Sequence, residues 1–218
     1  MKFKISFIEN LIEIDNEYVR CIEIENKDYF YRTISLLNDF NNNEDLKEEI
    51  NFIDKIDFKM IIDYFNIDLN DKKTLNAVIK YVKENIDVLN YDKLLRSYQR
   101  LCTLFSSSLE NIDIPINIEE DINIDNIIKL MNIKINKEDS ILKNLFIFID
   151  VINELKNYNL LILVNLKQYL TKEELNEVYK YAIYNNVALL LIDNTSYGIP
   201  QKYEKKLIID DNLEEFIV

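Results

Sequence analysis

The stretches that decide the fold are Asn159-Leu-Leu-Ile-Leu-Val-Asn165 and Asn186-Val-Ala-Leu-Leu-Leu-Ile-Asp-Asn194. Both runs are almost wholly apolar rather than alternating, which is typical of strands that are covered on both faces in a parallel sheet. The segment between them carries apolar residues at helical spacing, namely Leu175, Val178, Tyr179, Ala182 and Ile183. Together they predict a right-handed unit of strand, helix and strand.

Further strands and helices surround this unit. Apolar patterns predict strands near residues 3–7, 11–15, 18–24, 50–56, 58–64 and 206–210. Helices are predicted near residues 26–38, where Asn26 can cap the first turn, and near residues 140–157. A third begins at Thr171, which forms a capping box with Glu174. The predicted fold class is α/β with a mostly parallel sheet.

The chain changes character from about Asp71, where a helical region begins. One amphipathic helix is defined by Leu75, Val78, Ile79, Val82 and Ile86, and a longer one, to about Leu109, by Leu94, Tyr98, Leu101 and Phe105. An irregular acidic stretch follows at residues 110–126, and then a short helix to Met131. We predict that the two longer helices form an αα-hairpin apart from the sheet.

The composition excludes several kinds of site. Gly198 is the only glycine, so the chain has neither a phosphate-binding loop of the G-x-x-x-x-G-K-[ST] type nor a G-x-G-x-x-G turn, and no nucleotide is expected. The absence of histidine excludes Ser-His-Asp and Cys-His catalysis. The formal charge of -13 argues against coating nucleic acid over the whole surface, but it is compatible with a local basic patch.

Cysteines and hydropathy indicate the compartment. Cys21 and Cys102 lie in apolar patterns, as expected of reduced core cysteines in a cytoplasmic protein. No segment approaches the roughly 18 to 20 consecutive apolar residues of a membrane span. The N-terminus alternates as a strand does and meets Glu9 too early for a signal peptide. We expect no membrane association.

Several segments resemble one family, the small CRISPR-associated adaptation protein of type II-A systems, called the Csn-two (Csn2) family. The resemblance is carried by Leu160–Asn165, Tyr169–Glu174, Tyr181–Asn186 and Leu189–Asp193, and by Ile62–Leu69 and Ile127–Ile135. It covers nearly the whole chain. It implies an α/β head related to degenerate P-loop proteins, formed by residues 1–69 and 138–218, with an inserted helical leg at residues 70–137.

The resemblance also implies a function in CRISPR defence. A homotetrameric ring would encircle double-stranded DNA with a basic inner wall, load from free ends, and act in spacer acquisition beside the integrase pair and the effector nuclease. Calcium would bind near the leg, and no catalysis is implied. A ring repeats every weakly positive site by symmetry, so even an acidic protomer could present a positive hole.

The acidic run offers the candidate calcium ligands. It comprises Glu110, Asp113, Glu119, Glu120, Asp121 and Asp125. An EF-hand loop starting at Asp121 fails, because position 6 is Asn126 and position 12 is Asn132. From the residues alone, a solvated acidic loop and a cation site both stay open. The resemblance favours calcium, with Glu119, Glu120, Asp121 and Asp125 as its ligands.

The candidate contacts to DNA phosphates are scattered basic residues. On the longer helix they are Lys93, Arg96 and Arg100, which form a stripe opposite the apolar positions. Around the strand, helix and strand unit they are Lys143, Lys156, Lys167 and Lys172, which are expected to line one open rim, since the last two follow a strand's carboxyl end on the usual ligand side of an α/β sheet. Simple solvation of a helix face is the alternative for each set.

Two other functions remain as alternatives. One is a metal-dependent nuclease or a divergent NTPase that uses the carboxylates of Asp63, Asp150 or Asp193, two of which lie at or near strand ends. The other is an acidic scaffold that binds only proteins. The lack of a phosphate loop, histidine or paired catalytic motif argues against the enzyme.

Overall fold

The computed structural model of this chain describes residues 1–40, 49–109 and 124–218, together with Ile114 and Ile116. The described residues divide into two compact units. The first unit, here called the head, comprises Met1–Ile67 and Lys137–Val218. The second, here called the leg, is Asp68–Asn136.

The head is built around a six-stranded sheet. In sequence order its strands are β3 (Val19–Ile24), β5 (Phe58–Ile61), β6 (Leu160–Val164), β7 (Ala188–Asp193), β8 (Glu204–Ile209) and β9 (Glu215–Ile217). Their spatial order is β5-β6-β7-β3-β8-β9, and every neighbouring pair is parallel except β8 with β9. The predicted α/β class with a mostly parallel sheet is confirmed. The last strand, β9, was not predicted.

A smaller antiparallel sheet and three helices complete the head. The sheet joins β1 (Lys2–Ile5), β2 (Ile12–Glu13) and β4 (Ile50–Phe52) in the order β2-β1-β4. The helices are α1 (Lys27–Asp39), α5 (Ile141–Leu155) and α6 (Lys172–Tyr184). Strands β1, β2 and β4 are shorter than the apolar patterns of the sequence predicted.

Both faces of the large sheet are buried. One face packs on α1 and the small sheet through alternate strand residues, which include Ile22, Ile24, Leu160, Ile162, Leu190, Ile192, Leu207 and Ile209. The residues between them, such as Leu161 and Leu191, are also fully buried and therefore point to the opposite face. That face is covered by α6, which contacts β7, and by α5, which packs on α6. Double coverage explains the continuous apolar runs of β6 and β7.

The helix starts follow the predicted caps. Thr171 accepts a hydrogen bond from the Glu174 amide at 3.2 Å, and the Glu174 carboxylate accepts one from the Thr171 amide at 2.8 Å, so the capping box is confirmed. Asn26 caps α1 by accepting from the amides of Asp28 and Tyr29. These side chains satisfy amides that no helical carbonyl reaches.

The leg contains α2 (Lys72–Asn85), α3 (Val88–Leu109) and α4 (Ile124–Leu130). Its core consists of Ile124, Ile127 and Ile128 packed against apolar residues of the two longer helices, including Ile79, Val82, Leu94 and Tyr98. Within the described ranges, no helix is long and apolar enough to cross a membrane.

The predicted inner stripe of α3 is wrong at its C-terminal end. Leu101 and Phe105 are 55% and 62% exposed, whereas Cys102 is buried. The inner face continues from Leu95 and Tyr98 to Cys102 at the spacing of three and four that an α-helix dictates. Helical spacing alone is compatible both with the predicted series, which contains Leu101 and Phe105, and with the observed one, which contains Cys102.

Replacement of Thr171 by Ala tests the capping box. The change removes the side-chain acceptor from the first turn of α6, so the free energy of unfolding should fall by about 1 kcal/mol. Urea unfolding followed by circular dichroism measures this. Thr195→Ala, at an exposed loop position of the same unit, is the control and should change stability much less. Equal losses in the two variants would contradict the role of the capping box.

Candidate functional site

The head contains a group of charged side chains inside its core, on the face of the large sheet that α6 covers. We call the group the buried ion cluster, and its members are Glu23, Lys167, Asp193, Glu204 and Lys206. Each of these residues is at most 9% exposed. Such burial is rare for Lys, Glu and Asp, which are mostly exposed unless they are paired.

Strand register brings these residues together. Cys21 and Glu23 alternate with buried isoleucines on β3, and Glu23 lies beside Asp193 of β7. On the other side of β3, Cys21 pairs with Lys206 of β8, two residues after Glu204. Residues two apart on a strand share a face, so all of these side chains point toward α6.

Lys167 enters this group from the short 3-10 turn at Leu166–Gln168, directly after β6. Its ammonium lies 2.9 Å from the Glu204 carboxylate, 3.1 Å from that of Glu23 and 4.0 Å from that of Asp193. Lys206 forms a second pair with Glu23 at 2.8 Å. Charges taken out of water cost several kcal/mol each, so removal of one partner would leave an expensive uncompensated charge.

The cluster holds three carboxyl groups and two ammonium groups, and Asp193 carries the imbalance. Burial raises the pKa of Asp193 to about 7, although the charge of Lys167 opposes this rise. One of its oxygens, Oδ1, accepts no hydrogen bond from any described residue. Near neutral pH a proton therefore resides on Asp193 for much of the time, and the remaining two negative charges balance the two lysines.

Glu204, Cys21 and Lys167 keep their ordinary charge states. Burial alone would raise the pKa of Glu204, but Lys167 and the hydrogen bond from the Gln201 amide hold it below its usual value. Burial raises the pKa of the Cys21 thiol well above its usual value, so Cys21 is neutral. The pKa of Lys167 is raised because the negative groups around it outweigh the effect of burial.

The connection from β7 to β8, residues 194–203, is fastened by the same charges. We call it the crossover segment, because β3 lies between the two strands it joins. The Tyr197 amide donates to Glu23 at 3.1 Å, and the Gly198 carbonyl accepts from Lys206 at 2.8 Å. The Tyr197 ring lies 5.3 Å from the Lys167 ammonium. Gly198 has φ +69°, a left-handed conformation that favours glycine.

The head lysines predicted to contact DNA lie in different environments. Lys172, the first residue of α6, is exposed. Lys143 is exposed and lies 3.6 Å from Glu138, and Lys156 is exposed and donates to Asn153 at 2.8 Å. The side chain of Lys167 is only 3% exposed, so it does not line an open rim as expected. Its three carboxylate neighbours account for the difference.

The basic residues of α3 fit the predicted stripe. Lys93, Arg96 and Arg100 are all exposed. By helical geometry they fall within an arc of about 60°, opposite the inward-facing Leu95 and Tyr98. The structure shows no ion pair between these three residues and any other described residue. Among the residues that the structure describes, the stripe is therefore a small positive surface without an ionic partner.

The predicted calcium ligands lie outside what the structure describes. Glu119, Glu120 and Asp121 are beyond the described residues, and Asp125 falls on α4, where its side chain is not described. The calcium site therefore stays a prediction. Within the described part, the ligand atoms of Cys21, Glu23 and Asp193 lie within 4.8 Å of one another, but these groups surround the Lys167 ammonium.

Comparison with known proteins now shows the family. Residues 39–213 match the model described as CRISPR-associated protein (Cas_Csn2). The chain belongs to the Csn2 family. No curated protein matches it by sequence.

A solved structure agrees with the fold. The crystal structure of Stu0660 of Streptococcus thermophilus matches with a TM-score of 0.62, covering 96% of this chain and 75% of that chain. Sequence identity is 14%, so this likeness supports the fold alone. The resemblance seen in the sequence is confirmed at the level of the family.

Sequence reasoning missed most of the buried ion cluster in this Csn2-family chain. Glu23 and Lys206 appear in the sequence as ordinary polar positions next to apolar strand residues. A usable signal existed for Glu23, which stands between apolar residues in Cys21-Ile-Glu-Ile24, whereas Lys206 follows Lys205 at the start of its strand and gives no such signal. Their meeting with Lys167 depends on strand order, which a single sequence does not reveal.

The raised pKa of Asp193 predicts a pH dependence of stability. A carboxyl group whose folded pKa exceeds its unfolded value stabilises most below the unfolded pKa, and this contribution is lost as pH rises through the folded pKa. From about pH 4 to about pH 7, the loss should be on the order of 3 kcal/mol. Asp193→Asn, which mimics the protonated acid, should flatten this decline. Urea unfolding at several pH values measures both proteins, and parallel pH profiles would contradict the prediction.

Proposed function

We propose that this protein is a non-catalytic component of CRISPR spacer acquisition that binds double-stranded DNA, at its ends, without sequence preference. Membership of the Csn2 family supports the biological context. The observation that carries DNA binding is the exposed basic stripe of Lys93, Arg96 and Arg100 on α3, which forms no ion pair with another described residue.

The geometry of the stripe suits a phosphate backbone. Lys93 and Arg100 are seven residues apart, so the stripe extends about 10 Å along the helix. Its side chains reach solvent on the side of α3 away from the leg core. Contacts from such residues to phosphates position DNA and carry no information about base sequence. Binding by this surface should weaken steeply as salt increases.

The head would add further contacts through Lys143, Lys156 and Lys172. All three are exposed, and Lys172 forms no ion pair with another described residue. Lys167 is left out of the proposed surface because its ammonium is paired with Glu23 and Glu204 inside the core. A phosphate would have to displace both carboxylates to reach it.

Assembly into a homotetrameric ring would reconcile DNA binding with a protomer charge of -13. Symmetry would repeat each positive stripe around a central hole while the acidic surface faces outward. A closed ring admits a duplex by a free end, which would suit capture of DNA fragments for the integrase pair and the effector nuclease.

Calcium would act on the acidic run and not on DNA directly. Glu119, Glu120, Asp121 and Asp125 supply the hard oxygen ligands that calcium prefers. Neutralising these carboxylates would remove their mutual repulsion. The proposal is supported by the density of the acidic run and by the family.

The proposed lack of catalysis is supported by what the three carboxylates of the enzyme alternative contact. Asp63 accepts hydrogen bonds from the amides of Phe65 and Asn66, as the first residue of a turn does. Asp150 accepts from the Tyr181 hydroxyl at 2.6 Å. Asp193 is buried beside Lys167. Each has a structural contact, although turnover of labelled DNA or ATP that Asp193→Ala abolishes would contradict a non-catalytic role.

Charge reversal on α3 tests the DNA surface. The double variant Arg96→Glu and Arg100→Glu should weaken binding of all DNA sequences alike. Loss of about two phosphate contacts should reduce the slope of log affinity against log salt by roughly 2. Fluorescence anisotropy at several salt concentrations measures both effects. Lys180→Glu combined with Lys202→Glu, at two exposed lysines of the head, is the control with the same change of charge, and an equal effect there would show only a dependence on net charge.

The form of the DNA tests the ring. Linear duplex should bind, whereas covalently closed circular duplex of the same sequence should not, and calcium should strengthen binding relative to a chelator. Gel-shift assays of wild type under these four conditions measure the difference. Equal binding of linear and circular DNA would contradict loading from ends, and insensitivity of binding and thermal stability to chelator would contradict the calcium proposal.

A further inference from the structure

Three potential metal ligands converge on one ammonium group in the head. The Cys21 sulfur and carboxylate oxygens of Glu23 and Asp193 lie within 4.8 Å of one another. The Lys167 ammonium is 3.2 Å from the sulfur and 3.1 Å from Glu23. Asp193 is 0% exposed, and its Oδ1 atom accepts no hydrogen bond from the described residues. A buried carboxylate oxygen without a hydrogen bond in such a group indicates that the group can bind a further cation.

The group lies at the carboxyl ends of neighbouring parallel strands, a position where P-loop enzymes hold a metal. Asp193 ends β7 after five apolar residues, beside β3, and β3 leads directly into the turn before α1. In P-loop enzymes, an aspartate at the end of an apolar strand helps to hold Mg²⁺, and the turn binds phosphates. Here the turn, Glu25-Asn26-Lys27-Asp28, has no glycine. The carboxylates instead face a lysine.

We propose that Lys167 is a tethered cation that fills a metal site formed by Cys21, Glu23 and Asp193. In the wild-type protein the ammonium takes the place of a divalent ion, and the site binds no metal. Removal of the ammonium creates a site for a divalent cation that accepts mixed sulfur and oxygen ligands. This inference is independent of the proposed binding of DNA.

The donor set fits zinc or cadmium. Both accept thiolate and carboxylate ligands together, as Cys21, Glu23 and Asp193 would supply them. Metal binding would release the protons of the Cys21 thiol and the Asp193 carboxyl to solvent, which leaves anionic ligands around a doubly charged ion. The ion would also satisfy the Asp193 oxygen that lacks a partner.

The crossover segment explains why the ammonium stays in place. Tyr197 and Gly198 hydrogen-bond to Glu23 and Lys206, and the Tyr197 ring lies next to the Lys167 ammonium. Removal of Lys167 would leave Glu23 with Lys206 as its cation and Glu204 without one. We therefore expect a Lys167→Met protein to be less stable than wild type and to regain stability when a divalent ion replaces the missing charge.

Cadmium titration tests the proposal in a Cys102→Ser background, which removes the other thiol. In this background Lys167→Met should show a lower thermal midpoint, a rise of that midpoint with added Cd²⁺, and an ultraviolet thiolate-to-cadmium absorption. The protein that retains Lys167 should show neither response to Cd²⁺. Lys180→Met, an exposed lysine on α6, is the matched control and should behave like the parent. A cadmium absorption of equal size in the parent would overturn the proposal.

A second variant covers failure of Lys167→Met to fold. Lys167→Met combined with Glu204→Gln removes one charge of each sign and should fold without metal. Lys167→Met should then refold from urea only when Cd²⁺ is present, with stoichiometric bound metal. If Lys167→Met fails to refold with Cd²⁺ while the charge-balanced protein refolds without it, the group requires charge balance alone and the metal-site proposal is overturned. The same conclusion follows if folded Lys167→Met shows no cadmium absorption.

Discussion

The pairing of Lys167 with Glu23 and Glu204 is the interaction on which the rest of the head depends. Three separate parts of the chain meet there: β3, the turn after β6, and the start of β8. Removal of one member of a buried ion pair typically costs about 3–5 kcal/mol, because the other charge is left without compensation. An apolar core would tolerate many side chains at these positions. By contrast, these charged side chains can pair only in the strand register that brings them together.

The buried charges also take the place of a helix that is absent from the connection between β7 and β8. Parallel strands are usually joined by a helix that covers the sheet, but β7 and β8 are joined by residues 194–203 without a helix. The crossover segment offers little apolar surface to bury, since Tyr197 and Ile199 are both exposed. Hydrogen bonds from Tyr197 to Glu23 and from Lys206 to Gly198 hold its backbone instead. The single glycine of the chain therefore has a structural place in this connection.

Local patterns predicted the fold well, and contacts between distant residues limited the rest. The β6, α6 and β7 unit followed from its apolar runs and from the Thr171 and Glu174 pair, since both are short-range features. Lys167 was expected at an open rim because a lysine after a strand is normally solvated. Its burial depends on Glu23 and Glu204, which lie 144 and 37 residues away in the chain. The prediction for the inner face of α3 was wrong at Leu101, because its neighbour Cys102 is equally compatible with helical spacing.

The two sets of basic residues therefore differ in their environment: one set is paired inside the head, and the other is exposed on α3. Lys167 and Lys206 are paired with carboxylates inside the head and are not part of its exposed surface. Arg96 and Arg100 have no such partner among the described residues, and their side chains are exposed to solvent. The head therefore uses its buried charges for stability, whereas α3 carries basic residues that are exposed to solvent. This separation lets a strongly acidic chain keep a local basic stripe, which the proposed binding of DNA requires.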